Sequence, residues 1–303
     1  MLNILLIFVY LFAGLALQKV NILPKDFHLK INAFIINISL PALALLHIPK
    51  LQFSSALWMP VATAWIVYIL AFLFFKVMQQ LLHYNNSTLA CLTLCCGLFN
   101  SAFIGLPTVQ ALYGNQGLQL AILVDQPGSF LVLSTLGVFT AVWYSAGKTD
   151  VNVVARKIFS FPPLWGFLFA LLLLFTKTEL PAFTMLPLKI LAALLTPFAL
   201  VSVGLQLKFH IDSMKEKEVI AGLGYKLLIA PAAIFLLYGV LLHNHTLEMK
   251  VSVLQAAMGP MISGAIIASN YGLNPRLASL LVGIGIPLSF FTIAGWYFVS
   301  NMS

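Results

Sequence analysis

The sequence predicts an all-α polytopic membrane protein of ten transmembrane helices, arranged as two inverted five-helix repeats with broken crossover helices four and nine. Three observations carry that expectation. Of 303 residues, 61% are hydrophobic and 8% are charged, whereas a soluble domain carries about 25% charged residues. The apolar residues fall into ten stretches close to the roughly 20 residues that a hydrocarbon core of about 30 Å demands. Landmarks in the second half also repeat those of the first at a nearly constant offset.

The stretches run near 2–19, 28–48, 56–76, 88–113 and 118–144, then 162–177, 186–207, 219–242, 250–271 and 276–300. The connections are too short to hold an extramembrane domain, so function is expected inside the bilayer. The first stretch begins Met-Leu-Asn with no positive n-region, and Lys19 follows its apolar run. It reads as a retained span with an outside N-terminus rather than as a signal peptide. Ten spans then return the C-terminus to the same side.

Loop charge agrees with that orientation. The cytoplasmic loops hold Lys19, Lys25 and Lys30; Lys76; Lys148, Arg156 and Lys157; Lys208, Lys215, Lys217 and Lys226; and Arg276. Those are twelve of the sixteen basic residues, with Lys50, Lys177, Lys189 and Lys250 left outside. The pattern follows the positive-inside rule, with Lys226 contributing only by snorkelling to the interface. The net charge of +8 therefore reads as topology. The expected partner is the lipid bilayer, with a bacterial inner (plasma) membrane as the location, and no nucleic acid. Cys91, Cys95 and Cys96 lack CxxC spacing and a nearby histidine, so they read as small apolar residues and not metal ligands. His47, ending span two, is the one histidine kept as a functional candidate.

Five spans lie on each side of the Val151–Phe161 loop, giving expected repeats at 1–150 and 151–303. Spans four and five meet at Tyr113-Gly114, and nine and ten at Tyr271-Gly272. Each junction leads on to a proline and a Ser-Phe pair: Pro127 with Ser129-Phe130, and Pro287 with Ser289-Phe290. Pro41 pairs with Pro197, and Pro107 with Pro260. An odd number of spans per half makes the two halves enter the membrane from opposite sides, as in many secondary transporters. Asn37, Ser39, Ser202 and Gln206, near Pro41 and Pro197, suit helix-to-helix bonding.

Proline within a span removes a backbone hydrogen bond, and lipid offers no water to replace it. Span four concentrates Asn100, Ser101, Gly105 and Pro107; span nine has Gly259 and Pro260, followed by Ser263. Two such breaks in an inverted repeat are expected to cross near the midplane. The N–H groups and positive dipole ends of the resumed half-helices would then face a small organic anion. Asp125 alone of the eight acids lies well within a span, followed by Gln126 and Pro127. A carboxylate at that depth either anchors a helix break through hydrogen bonds, serves coupling or gating as a proton carrier or as the partner of Lys226, or touches substrate. No catalytic constellation, metal-ligand set or Walker A sequence is present. The expectation is a non-enzymatic secondary transporter with no cofactor beyond a coupling H+ or Na+. A channel and a polytopic membrane enzyme are the alternatives.

Asn100–Gly114 (NSAFIGLPTVQALYG), Pro197–Leu207 (PFALVSVGLQL) and Ala256–Trp296 resemble the auxin efflux carrier family, which includes bacterial malate and malonate permeases. The similarity runs over the whole ten-span length. It implies a fold shared with bile-acid sodium symporters. Helices at 2–48 and 162–207 would form a scaffold, and those at 56–144 and 219–300 a mobile transport domain. The resemblance also implies substrate at the crossover of spans four and nine, with Asn100 as its polar residue, Asp125 in the moving domain, and homodimers through the scaffold. The long central cytoplasmic loop of the plant carriers is lacking, because spans five and six are joined by under twenty residues.

Overall fold

Long apolar runs without period-two alternation can satisfy their backbone in lipid only by coiling, and helices result. A computed structural model describes residues 2–20, 23–24, 27–51, 54–145, 159, 161–206 and 216–302. In order these form α1 (Leu2–Val20), α2 (Phe27–Lys50), α3 (Trp58–Leu82), α4 (Asn86–Cys96) and α5 (Ser101–Tyr144). After them come α6 (Pro162–Thr176), α7 (Ala182–Gln206), α8 (Lys217–Leu241), α9 (Leu247–Ala256), α10 (Ile262–Asn270) and α11 (Pro275–Met302). Six of them, α2, α3, α5, α7, α8 and α11, are long and apolar enough to cross a membrane; α1, α4 and α6 are shorter and apolar. The 150/151 repeat boundary lies outside the described residues, as do Lys25, Lys148, Arg156, Lys157, Lys208 and Lys215 of the loop-charge argument.

Helix ends follow local chemistry. The side chain of Asn85 caps α4 by accepting from the Thr88 N–H at 2.9 Å. His83 ends α3 and His243 follows α8, both with a left-handed backbone (φ 55° and 47°). Gly114 (φ 65°) kinks α5, and Gly272 (φ 68°) turns the chain toward α11. That conformation costs a glycine nothing and an L side chain about 1–2 kcal/mol.

The chain groups into two compact units. The first holds residues 1–55, 102–122 and 156–207. Its α1 and α7 meet through glycines: a Cβ on Gly14 would stand 2.3 Å from the Val201 carbonyl oxygen, and one on Gly204 would stand 2.3 Å from that of Leu11. Gly166 of α6 lies against Pro41 of α2 in the same way, with 2.8 Å from its built Cβ to the Pro41 Cα. Lipid supplies no hydrophobic drive between helices, so such close backbone approach is what holds them. Ser202 donates to Asn32 at 2.5 Å, and Gln206 donates to the Ser202 carbonyl at 3.0 Å. Gly204→Val should therefore cost about 1–3 kcal/mol through overpacking, read as loss of the monodisperse peak in detergent gel filtration. Gly224→Ala, whose Cβ would meet nothing within 4 Å, should leave that peak unchanged.

The second unit holds residues 56–101, 123–155 and 208–303. Buried tyrosines tie its helices by hydroxyl-to-carbonyl bonds. Tyr225 donates to the Val67 oxygen at 2.6 Å, and Tyr238 to that of Met59 at 3.0 Å. Tyr68 donates to the Thr140 hydroxyl at 2.8 Å. Phe74 and Phe75 pack on the Tyr225 ring, with centroids 5.1 and 5.2 Å away.

Candidate functional site

Within the second unit, the gap after α4 and the gap after α9 meet. Residues 97–100 leave the helix, as do 257–261. Phe99 and Pro260 form an antiparallel bridge. The Asn100 N–H donates to the Gly259 carbonyl at 2.9 Å, and the Met261 N–H donates to the Cys95 carbonyl at 3.2 Å. Each interrupted segment thus supplies backbone partners that the other lost, which the bilayer interior requires. Pro260 suits its place, because a residue with no N–H leaves no orphan donor.

Gly259 and Pro260 sit in the second gap, as their sequence suggests. The first gap differs from expectation. It falls at residues 97–100, and helix resumes at Ser101 as a π-wound turn, Ser101–Gly105, that runs into Leu106–Leu123. Pro107 therefore lies inside resumed helix and makes no break. The wider turn before it takes up the ring and the missing donor. Gly105 and Pro107 lie in Ala102–Ile122, which belongs to the first unit. In that unit Pro107 lines a cavity of about 490 Å³ with Pro197 and the polar residues Tyr10, Gln110, Asn115 and Thr196.

Asn100, Ser101, Asp125, Gln126 and Lys226 are all buried in the second unit, with Ser263 half-buried in the first turn of α10. The Ser101 hydroxyl donates to one Asp125 carboxylate oxygen, and Gln126 Nε2 donates to the other at 2.7 Å. Asp125 thus reaches the residue where helix resumes after the first gap, at the positive end of that half-helix. Lys226 lies elsewhere. Its Nζ donates to the Ala256 carbonyl at 2.9 Å and stands 4.7 Å from the Phe99 ring centroid. The Asp125–Lys226 ion pair that the sequence allowed is not formed. An ion pair does form between Arg276 and Glu216, at 2.6 Å. Each buried charge has found a helix end in place of the other charge. Both sit on π-wound turns, Val124–Phe130 and Tyr225–Ile229, which rotate a side chain out of the regular helical register.

Several buried polar atoms here have no partner: Asn100 Nδ2, Gln126 Oε1, Ser252 Oγ and both amide atoms of Gln255. Unpaired polar groups at such depth cost about 1–3 kcal/mol each and mark places where a ligand or water can bind. Gln255 and Ser252 are not among the candidates that the sequence singles out. Their signal is present as polar residues in the last turns of α9, just ahead of Gly259-Pro260. His47 has a structural place in the first unit, where its carbonyl accepts from Gln119 Nε2 at 2.9 Å.

Against known proteins, a family model described as membrane transport protein matches residues 1–297. An uncharacterized transporter of Methanothermobacter thermautotrophicus is 30% identical over 210 residues, 68% of this chain and 66% of that relative. An uncharacterized transporter of Methanocaldococcus jannaschii is 26% identical over 292 residues, 92% of each chain. The uncharacterized transporter YfdV of Escherichia coli K12 is 23% identical over 222 residues, 72% of this chain and 70% of its own.

Proposed function

The chain belongs to the membrane transport protein family, the auxin efflux carriers, and from that premise we propose that it is a secondary transporter moving a small organic anion by alternating access. The observation that carries this reading is the backbone pairing of two interrupted helices around unpartnered polar atoms. The N-terminus of α10 opens beside that pairing, with Ser263 in its first turn and Met261 before it. Its free N–H groups and dipole favour negative charge. Asn100 Nδ2, a buried donor without an acceptor, adds a hydrogen bond of the same sense. A carboxylate of a dicarboxylate or an auxin-like acid answers both.

The ten-span inverted repeat belongs to this proposal. It is supported by paired landmarks: left-handed His83 and His243, left-handed Gly114 and Gly272, and two gaps that pair antiparallel. In this reading α4 with the start of α5 is span four, and α9 with α10 is span nine. Helices at 2–48 and 162–207 act as scaffold and homodimer contact, and the rest carries the substrate. Asp125 with Gln126 serves coupling to H+ or Na+. The protein sits in a bacterial inner membrane with both termini outside.

Uptake of radiolabelled malate, malonate and indole-acetate into proteoliposomes tests the reading, with pH and sodium gradients varied separately. Saturable flux with competition among carboxylates is expected. Continuous single-channel conductance, or no competition by any of these anions, overturns it. Asn100→Ala should weaken apparent affinity about tenfold, the equivalent of one hydrogen bond to a charged group, with unchanged elution on gel filtration.

A further inference from the structure

We propose that Lys226 is the resident cation of the crossover, a tethered ammonium that fills the place at the end of α9 where a free monovalent cation would otherwise bind. The inference deepens the transporter reading and rests on it for its meaning, though not for its test.

The observations are geometric. Lys226 is fully buried, and burying an unpaired ammonium is costly enough that it persists only where something negative meets it. No carboxylate does so among the described residues. What meets it is the Ala256 carbonyl, the last of α9, at 2.9 Å, and the face of the Phe99 ring at 4.7 Å. A helix C-terminus carries about half a negative charge on its unsatisfied carbonyls, and an aromatic face attracts a cation. Phe99 is also the residue that bridges to Pro260. One ammonium therefore touches both interrupted segments. Carbonyl oxygens at the end of a broken membrane helix are the ligands that coordinate Na+ in transporters with discontinuous spans. Here a covalently attached charge occupies them.

The two gaps are served unlike. Cys95, at the end of α4, gives its carbonyl to the Met261 N–H; Ala256, at the end of α9, gives its carbonyl to Lys226. The offset of 160 that relates His83 to His243 and Pro127 to Pro287 sets Ile66 opposite Lys226 and Gly285 opposite Asp125. Each charge occurs once, the acid in the first half and the base in the second. Position is secured by the neighbouring side chain, since Tyr225 bonds the Val67 carbonyl from the same π-wound turn. Lys226 is a positioning residue: it holds the crossover in shape and removes the need for sodium there.

The test reads stability and needs no substrate. Purified full-length protein is unfolded thermally in sodium chloride and in choline chloride at equal ionic strength. K226M should unfold about 5 °C or more below the wild type in choline and recover saturably with sodium or methylammonium, so that its rise from choline to sodium exceeds that of the wild type. A wild-type rise as large as that of K226M overturns the proposal, as does K226M that matches the wild type in choline or ignores every small cation. Should K226M not accumulate, K226Q takes its place with the same outcomes, since it keeps a donor for Ala256 but no charge. Failure of the anion-uptake assay leaves these midpoints untouched, so the two readings fall separately.

Discussion

Gly264→Ala is expected to remove folded protein almost completely, although it adds one methyl group. Gly264 is the third residue of α10, and a Cβ built on it would lie 2.3 Å from the Leu94 carbonyl oxygen of α4. The obstacle is backbone, which cannot rotate away as a side chain can. Relief must come from moving α10 off α4, and that draws Met261 away from Cys95 and opens the paired gaps. Overpacking alone costs about 1–3 kcal/mol. The lost backbone bonds add to that, because in lipid nothing replaces them. Thermal unfolding in detergent checks the result, with Gly295→Ala as control, since a Cβ there would meet nothing within 4 Å. A Gly264→Ala midpoint within 2 °C or so of the wild type would mean that α10 and α4 are not held at this spacing.

Asp125 separates two roles that one substitution would confuse. Asp125→Ala strands the Ser101 hydroxyl and the Gln126 amide, two buried donors, at about 1–3 kcal/mol each, and should give little folded protein. Asp125→Asn preserves shape. Its amide can donate to Gln126 Oε1, now without a partner, once the Gln126 amide turns over. Asp125→Asn should therefore fold and still bind substrate while losing its response to a proton or sodium gradient. Gradient-driven accumulation in proteoliposomes, compared with exchange at equilibrium, reads that difference. A variant that still accumulates substrate as the wild type does would leave Asp125 a purely structural hydrogen-bond anchor.

Much of this architecture was legible in the residues, for particular reasons. Gly259-Pro260 falls in a gap because proline and glycine together disfavour helix whatever surrounds them. Asp125 could be singled out because so few charges interrupt the apolar runs. Pro107 misled, because a proline can be absorbed by a π-wound turn, and no residue type announces such a turn. The gap at 97–100 is hard to place for a related reason: its partners are Gly259, whose carbonyl Asn100 bonds, and Pro260, which bridges to Phe99, and backbone pairing has no spelling. Asp125 is one partner the sequence offers Lys226, because a sequence displays charged side chains but never the charge of a helix end. Gln255 is one of several polar residues of α9, and only its buried, unpaired amide distinguishes it.

The paired gaps also have a consequence for how the chain is made. Asn100 donates to a carbonyl about 160 residues further along. At translation rates of about 5–20 residues per second, the first gap waits on the order of ten to thirty seconds before its partner emerges. Throughout that interval the half-synthesised protein holds a backbone amide whose partner has not yet been made. The first half therefore completes its backbone pairing only once the second half has been made.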